Sequence, residues 1–347
     1  EYIMKETDID WGNLTFSYMP TDYNVRCTYK DGKWGEIEVS DSEYIPLHIA
    51  ASCLHYGQES FEGLKAFRGK DGKIRVFRME ENAKRFIRSA EGISMQPMPV
   101  ELFCEMVRKV VKLNERFVPP YGTGASLYIR PLEIGITPRV GVKPATEYMV
   151  IMLVTPVGPY FKEGFKPTKV CLSREYDRVA PKGTGSIKVG GNYAASNRAG
   201  EKAEEIGFSQ VLWLDGVERK YIEEVGAMNM MFVIDGKIVT APLEGSILAG
   251  VTRKSILQLA QDMGYETEER RISVQELFDA HARGTLTEAF GTGTAAVISP
   301  VGEMEYDGRS MILNDRKIGK ISQQMYDTLV GIQRGKTPDP HGWTVPV

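Results

Sequence analysis

The chain has little with which to build a metal centre or a covalent scaffold. Its four cysteines, Cys27, Cys53, Cys104 and Cys171, are widely spaced and form no CxxC pair. That spacing argues against a disulfide framework or a thiolate metal site and favours a reducing cytoplasm. The four histidines, His48, His55, His281 and His341, form no ligand cluster, so no metal is expected. His281 reads as a residue closing a helix C-terminus. No run approaches the roughly 18 uncharged apolar residues of a spanning helix. A net charge of −3 with no basic run gives no footprint for nucleic acid or an anionic membrane. There is no GxxxxGK[ST] phosphate loop and no repeat at solenoid period. The chain opens EYIMKETDID, neither a secretory signal nor an Arg-rich transit segment. It lacks an initiator Met, so a missing native N-terminus is an expectation.

What is present is the composition of an ordinary soluble protein, 42% apolar and 26% charged over 347 residues. That length suits two domains with substantial cores. LTFSYMP (14–20) and VRCTYKDGKWGEIEV read as short strands, and FEGLKAFRGKDGKIRVFR (61–78) as a hairpin about GKDG. Met79 to Glu91 reads as a helix carrying Phe86 and Ile87 inward, and Val100 to Phe117 as a longer one stopped by Pro119-Pro120. ASLYIRPLEIGI and EYMVIMLVTPV supply two strands, the second apolar enough to be central. Residues 1–160 are thus expected to form a smaller N-terminal domain, 161–168 a linker, and 169–347 a larger C-terminal domain of mixed sheets and helices, α+β overall. In the second domain strand KVCLSRE, the lysine turn and its helix, strand SQVLWLDG and a strand pair through MNMMFVIDGKIVTAP are followed by helices at 252–264 and 274–284, each ending at Gly. TEAFGTGTAAVISPVGEMEY reads as strand, 317–330 as a final helix, and the Pro-rich tail KTPDPHGWTVPV as irregular surface chain.

The most informative stretch is PKGTGSIKVGGNYAASNR (181–198), where a lone Lys188 sits among glycines just before a helical pattern. A lysine near a helix N-terminus meets an unfavourable dipole, while the glycines allow close backbone approach to a ligand. Residue type and position leave three readings open: a surface-loop lysine, a phosphate contact, or an amine that forms an imine with an aldehyde cofactor. In YIEEVGAMN, strand alternation puts Glu223 and Glu224 on opposite faces, one toward solvent and one toward the interior. AGVTRKSI places Gly250 at a helix start with free N–H groups, where Thr252 also reads as an ordinary cap.

SIKVGGNYAAS resembles the lysine segment of the branched-chain amino acid aminotransferases, pyridoxal-phosphate enzymes of fold type IV. LHYGQESFEGLKAFRG (54–69), RFIRSAEGI (85–93), SLYIRP (126–131), YIEEVGAMNMMFVIDG (221–236), GSILAGVTRKSIL (245–257) and EAFGTGTAA (288–296) resemble the same family in the same order. The resemblance runs from about residue 15 to about 335. It implies transfer of the amino group between L-leucine, L-isoleucine or L-valine and 2-oxoglutarate, with pyridoxal 5′-phosphate as cofactor.

Residue by residue, the resemblance makes Lys188 the covalent anchor and the acid/base that moves the substrate Cα proton. Glu224 becomes the partner of the pyridine nitrogen, Tyr193 the hydrogen-bond partner of the phenolic oxygen, and Glu223 a solvated charge. Val251, Thr252, Thr294 and Arg85 become phosphate ligands, with Arg88 structural. It gives the side-chain pocket to Phe61, Tyr160 and Ala295, with Tyr128 and Arg130 at its polar edge and Arg130 pairing a γ-carboxylate. Thr294, Ala295 and Tyr56 would hold the α-carboxylate. In the family Tyr56 and a loop matching Arg139 to Val142, including Val140 and Val142, reach across from a second subunit, so a homodimer is implied.

The chain departs from the mammalian members by carrying Ala296 and Ser299 where they have a CxxC redox switch, so that thiol regulation is not expected. Ala227 stands where a Thr is frequent. D-amino acid aminotransferases and 4-amino-4-deoxychorismate lyases share the lysine, the glutamate and the phosphate cup, but SLYIRP and FEGLKAF favour the L-branched-chain group. A non-catalytic relative would be expected to have lost Lys188 or Glu224.

Overall fold

In the computed structural model, residues 8–161 and 164–347 are described. The backbone separates into two compact units. Of the described residues, the first holds 8–161, 187–190 and 331–347, and the second the remainder. The sequence places a single boundary at 161–168, of which residues 162 and 163 lie outside the described residues.

The first unit is a sheet backed by helices. Its strands are β1 (Asn24–Lys30), β2 (Lys33–Trp34), β3 (Glu38–Ser40), β4 (Glu59–Phe61), β5 (Leu64–Arg68), β6 (Ile74–Phe77), β7 (Ser126–Gly135) and β8 (Tyr148–Val157). Its helices are α1 (Ser52–Tyr56), α2 (Met79–Gly92) and α3 (Val100–Leu113). β1 and β2 meet at Asp31-Gly32, both at positive φ, the backbone that a two-residue hairpin loop demands. β8 is central, between β7 and β1. On α3 the apolar spacing seen in the sequence buries Phe103, Met106, Val107, Val110 and Val111. These pack with Phe86 of α2 against Leu127 and Ile129 of β7 and Val150, Met152 and Val154 of β8. Strand alternation then turns Tyr128 and Arg130 to the opposite face of the sheet.

Several expectations are corrected here. LTFSYMP is not a strand; after a 3-10 turn at Trp11–Asn13 the chain runs irregularly to Asn24. Its backbone is tied to β8 instead, as where Thr155 Oγ1 accepts from Met19 N–H at 2.8 Å. The tail is not irregular surface chain either: Thr344–Pro346 pairs antiparallel with β6, and Trp343 is buried. Pro346 ends that strand at the sheet edge, where a missing N–H costs nothing. On α2 Ile87 is only half-buried, while Asn82, Arg85 and Ser89 are buried.

The second unit holds β9 (Thr168–Leu172), α4 (Gly190–Ala194), α5 (Asn197–Glu205), β10 (Gln210–Leu214), β11 (Ile222–Val225), β12 (Met228–Ile234) and β13 (Lys237–Thr240). α6 (Val251–Asp262), β14 (Thr267–Glu269), α7 (Val274–Ala282), β15 (Leu286–Gly293), β16 (Val297–Tyr306), β17 (Arg309–Ile312) and α8 (Lys320–Gln333) follow, with Gly190 of α4 and the end of α8 from Gly331 counted with the first unit. The single helix expected after Lys188 is broken at Ala195-Ser196 into α4 and α5. β11 pairs with both β10 and β12. The ring β11-β10-β9-β16-β15-β12 therefore closes on itself, which removes exposed edges. His281 lies in the last turn of α7, where its ring meets the Ile312 carbonyl at 2.9 Å.

Candidate active site

Lys188 belongs to the short segment counted with the first unit, and its peptide is held on both sides. Its N–H donates to Ser89 Oγ of α2 at 2.9 Å, and its carbonyl accepts from Phe61 N–H of β4 at 3.1 Å. Two residues on, Gly190 N–H donates to the Glu59 carboxylate. A Cβ at Gly190 would run into that carboxylate, so any side chain there would have to displace Glu59 from the Gly190 N–H. The Lys188 Nζ stands 4.6 Å from the centroid of Phe61. Burial and the nearby Arg85 guanidinium depress the ammonium to about 8, against the pull of Glu62. A lysine tuned this way carries a useful fraction of free amine near neutrality.

Beneath it lies a polar stripe that the sequence reading missed. Asn82, Arg85 and Ser89 recur at i, i+3 and i+7, one face of α2. Arg85 grips buried Glu62 with two hydrogen bonds, Nε to Oε1 at 2.7 Å and Nη2 to Oε2 at 2.8 Å. Asn82 Nδ2 adds a third at 2.8 Å. Burial alone would push the Glu62 carboxyl up; Arg85, Lys188 and Asn82 outweigh it and hold the group below its ordinary range.

Arg130 is half-buried among aromatics. Its guanidinium lies 4.8 Å from the Phe61 centroid and 5.3 Å from that of Tyr128. It donates to Tyr128 Oη at 3.0 Å. Gly63 leaves the space for that phenol, since a Cβ there would be 2.2 Å from Tyr128 Oη. Phe16 joins the group edge-on, 5.0 Å from Tyr128 and 5.4 Å from Tyr160. Phe61, Tyr128, Arg130 and Tyr160 are thus brought together, with Phe16 as a member no motif pointed to. Tyr56, at the end of α1, hydrogen-bonds the Val140 carbonyl.

In the second unit Glu224 is buried on β11. Its Oε2 meets Arg178 Nη1 at 2.7 Å and its Oε1 accepts from Asn229 Nδ2 at 3.3 Å. Arg178 is fixed in turn by the Ser246 carbonyl at 2.9 Å. Glu223 is half-buried rather than freely solvated, and accepts from Ser246 Oγ at 2.6 Å. Burial pushes its carboxyl up, with Ser246 and Arg178 opposing.

α6 begins at Val251 with Gly250 as its cap, and no side chain caps it. Thr252 lies inside the first turn, so the ordinary-cap reading of that threonine fails. Gly250 is needed because a Cβ would fall 2.1 Å from Asn229 Oδ1. Asn229 also donates to the Leu248 carbonyl at 2.8 Å and stands opposite Thr292 in the β12–β15 register. It links the Glu224 strand, the α6 start and the strand leading to Thr294 and Ala295. Those two residues form the half-buried turn between β15 and β16. Tyr193 is half-buried on α4, and Asn192 beside it ties back to Thr184, accepting and donating at 2.7 Å.

Comparison with known proteins places these residues in context. The Amino-transferase class IV family matches residues 59–304. A probable branched-chain-amino-acid aminotransferase of Staphylococcus epidermidis is 46% identical, over 97% of this chain and 94% of its own. The crystal structure of the Escherichia coli branched-chain amino acid aminotransferase superposes with a TM-score of 0.77 at 28% identity, over 93% of this chain and 98% of that one. The T.th. branched-chain amino acid aminotransferase, complexed with N-(5′-phosphopyridoxyl)-L-glutamate, superposes with a TM-score of 0.75 at 28% identity, over 94% and 99%.

Proposed function

The chain belongs to the class IV amino-transferases and, among them, to the branched-chain-amino-acid aminotransferases, and from that membership we propose how its residues divide the work. The reaction is transfer of the amino group between L-leucine, L-isoleucine or L-valine and 2-oxoglutarate. Its cofactor, pyridoxal 5′-phosphate, supplies an electron sink for charge developing at the substrate Cα.

The observation that carries the reading is the clamped, half-buried Lys188 with its amine depressed to about 8. Lys188 would hold the cofactor at its aldehyde carbon, and its Nζ is the base placed to carry the substrate Cα proton. Arg178 and Asn229 fix the Glu224 carboxylate, which would hold the proton on the cofactor's ring nitrogen, and Tyr193 would donate to its phenolic oxygen. In the second unit the uncapped N–H groups at Val251 and Thr252 and the Thr252 and Thr294 hydroxyls fit a phosphate in donor type; the family pattern adds the Arg85 guanidinium, which suits the same anion in charge. Glu62 fixes the plane of Arg85 for that task. Thr294 and Ala295 take the α-carboxylate. A panel of L-leucine, L-isoleucine, L-valine, L-aspartate and D-alanine with 2-oxoglutarate tests the assignment; turnover confined to D-alanine or L-aspartate would refute it.

Arg130 is assigned the γ-carboxylate of glutamate, and Phe61, Tyr128 and Tyr160 the apolar part of the pocket. A carboxylate is costly to bury unpaired, whereas an isobutyl group needs only apolar surface. In single-turnover measurements Arg130→Met is expected to cost the L-glutamate half-reaction about 2–4 kcal/mol. The L-leucine half-reaction should change by less than about 1 kcal/mol, because Met keeps an unbranched stem. Equal losses would move Arg130 to a general ordering role.

A homodimer is part of the same proposal, with Tyr56, Val140 and Val142 serving the partner's substrate. Its support is a patch of exposed apolar side chains: Tyr44 83%, Ile49 85%, Leu54 60%, Val140 83% and Val142 79%. The 48–56 and 137–142 segments are one substructure, joined by the Ala51–Pro138 bridge and by Arg139 N–H to the Ala50 carbonyl at 2.8 Å. Large apolar side chains left exposed on one such substructure suit an interface. Sedimentation should give a dimer for the native chain and a shift to monomer for Val142→Asp, with kcat/KM down by about tenfold or more. A native monomer of full activity would contradict it. The free thiols support a reducing cytoplasm as the location,.

A further inference from the structure

Glu133 on β7 is fully buried, and among the described residues neither of its carboxyl oxygens has a hydrogen-bond partner. It faces the core side of the sheet, in alternation with Leu127 and Ile129,. Directly opposite it in the β4–β7 register stands Ser60. Ser60 is equally buried, and its hydroxyl also lacks a partner. Unmatched buried polar groups are rare and costly, and here two of them occupy one cross-strand pair, within the reach of facing side chains. Neither has a part in the reaction described above.

The residues on either side of Ser60 give the pair a consequence. Glu59 accepts from Gly190 N–H and Phe61 N–H donates to the Lys188 carbonyl. Strand β4 is only these three residues long, so it has little pairing of its own to hold it. We propose that Glu133 is a positioning residue that backs β4 by packing beside Ser60 while it is protonated, and that its ionisation displaces the strand and loosens the lysine turn. The proposal rests on Lys188 being the cofactor lysine.

The surroundings suit a neutral acid. Burial pushes the Glu133 carboxyl up to about 8. From β8 the Tyr148 phenol faces it, and Arg139 acts on that phenol. From α2, Ala90 packs with Tyr148, while the charged residue of the buried face, Arg85, is committed to Glu62. An acid whose folded value lies above its unfolded one binds more protons when folded. Its contribution is therefore whole below the unfolded value and is lost as pH rises toward about 8,.

The test compares holoenzyme with Glu133→Gln, which keeps shape and cannot ionise, between pH 6 and pH 9, roughly two units below and one above the titration. Native Tm should fall by several degrees relative to the variant as pH rises, and native kcat for L-leucine should fall about tenfold relative to the variant at the alkaline end. Parallel Tm and kcat profiles would overturn the proposal, and a Tm difference without a kcat difference would overturn the positioning role. Infrared spectroscopy of the native chain supplies a measurement independent of variant folding. The carbonyl band of a buried neutral carboxylic acid should be present at neutral pH and vanish through the same range. Its absence at neutral pH would overturn the proposal even if Lys188 proves to be the cofactor lysine.

Discussion

Lys188→Ala is expected to abolish amino transfer, lowering kcat by at least about four powers of ten, some 5–6 kcal/mol in barrier. In the proposed mechanism one amine both anchors the cofactor and carries the Cα proton, so its loss would remove two functions that fail as a unit. The fold should survive. The turn is held through the Lys188 N–H and carbonyl, to Ser89 and Phe61, and alanine keeps both. Removing a half-buried ammonium also removes a desolvation cost. Circular dichroism and thermal unfolding should match the native chain, while the purified protein loses its bound-cofactor absorbance band. Turnover within tenfold of native would mean that another group carries the amine.

Glu224→Gln is expected to lower the rate by two or more powers of ten, of order 3 kcal/mol. Glutamine keeps the size and can still accept from Asn229, but it carries no charge to hold a proton on the ring nitrogen. A second effect follows from the ion pair at 2.7 Å. The substitution leaves the buried Arg178 without its counter-charge, a change that typically costs about 3–5 kcal/mol of stability. The two effects separate by temperature: kcat measured well below the unfolding range reports the lost charge, and the drop in Tm reports the stranded guanidinium. Glu223→Gln should remain within about 1 kcal/mol of native in both, because a glutamine can still accept from Ser246. A crippling Glu223→Gln with a mild Glu224→Gln would reverse the assignment of faces on β11.

The division between what could be read in the sequence and what could not follows the range of the interactions. Asp31-Gly32 and the GKDG turn were legible because a hairpin loop is written in adjacent residues, and α3 because its apolar spacing repeats every turn. Strand alternation separated Glu223 from Glu224, and Glu224 is indeed the more buried of the two, whereas the role proposed for it comes from the family pattern. By contrast the partners of the site's charges are remote in sequence. Glu62 with Arg85 and Arg178 with Glu224 meet only through tertiary packing. The tail strand was hidden for the same reason: its proline-rich composition indicates irregular chain, and its partner β6 lies near the other end of the sequence. Asn229 and Phe16 carried no local signal.

The most direct test of Lys188 as the amine carrier is borohydride reduction of the purified holoenzyme followed by peptide mapping. The expected result is a single pyridoxyl-labelled peptide containing Lys188, with labelling suppressed when excess L-leucine is added before the reductant. Label on any other lysine, or label on Lys188 that L-leucine leaves unchanged, would contradict it.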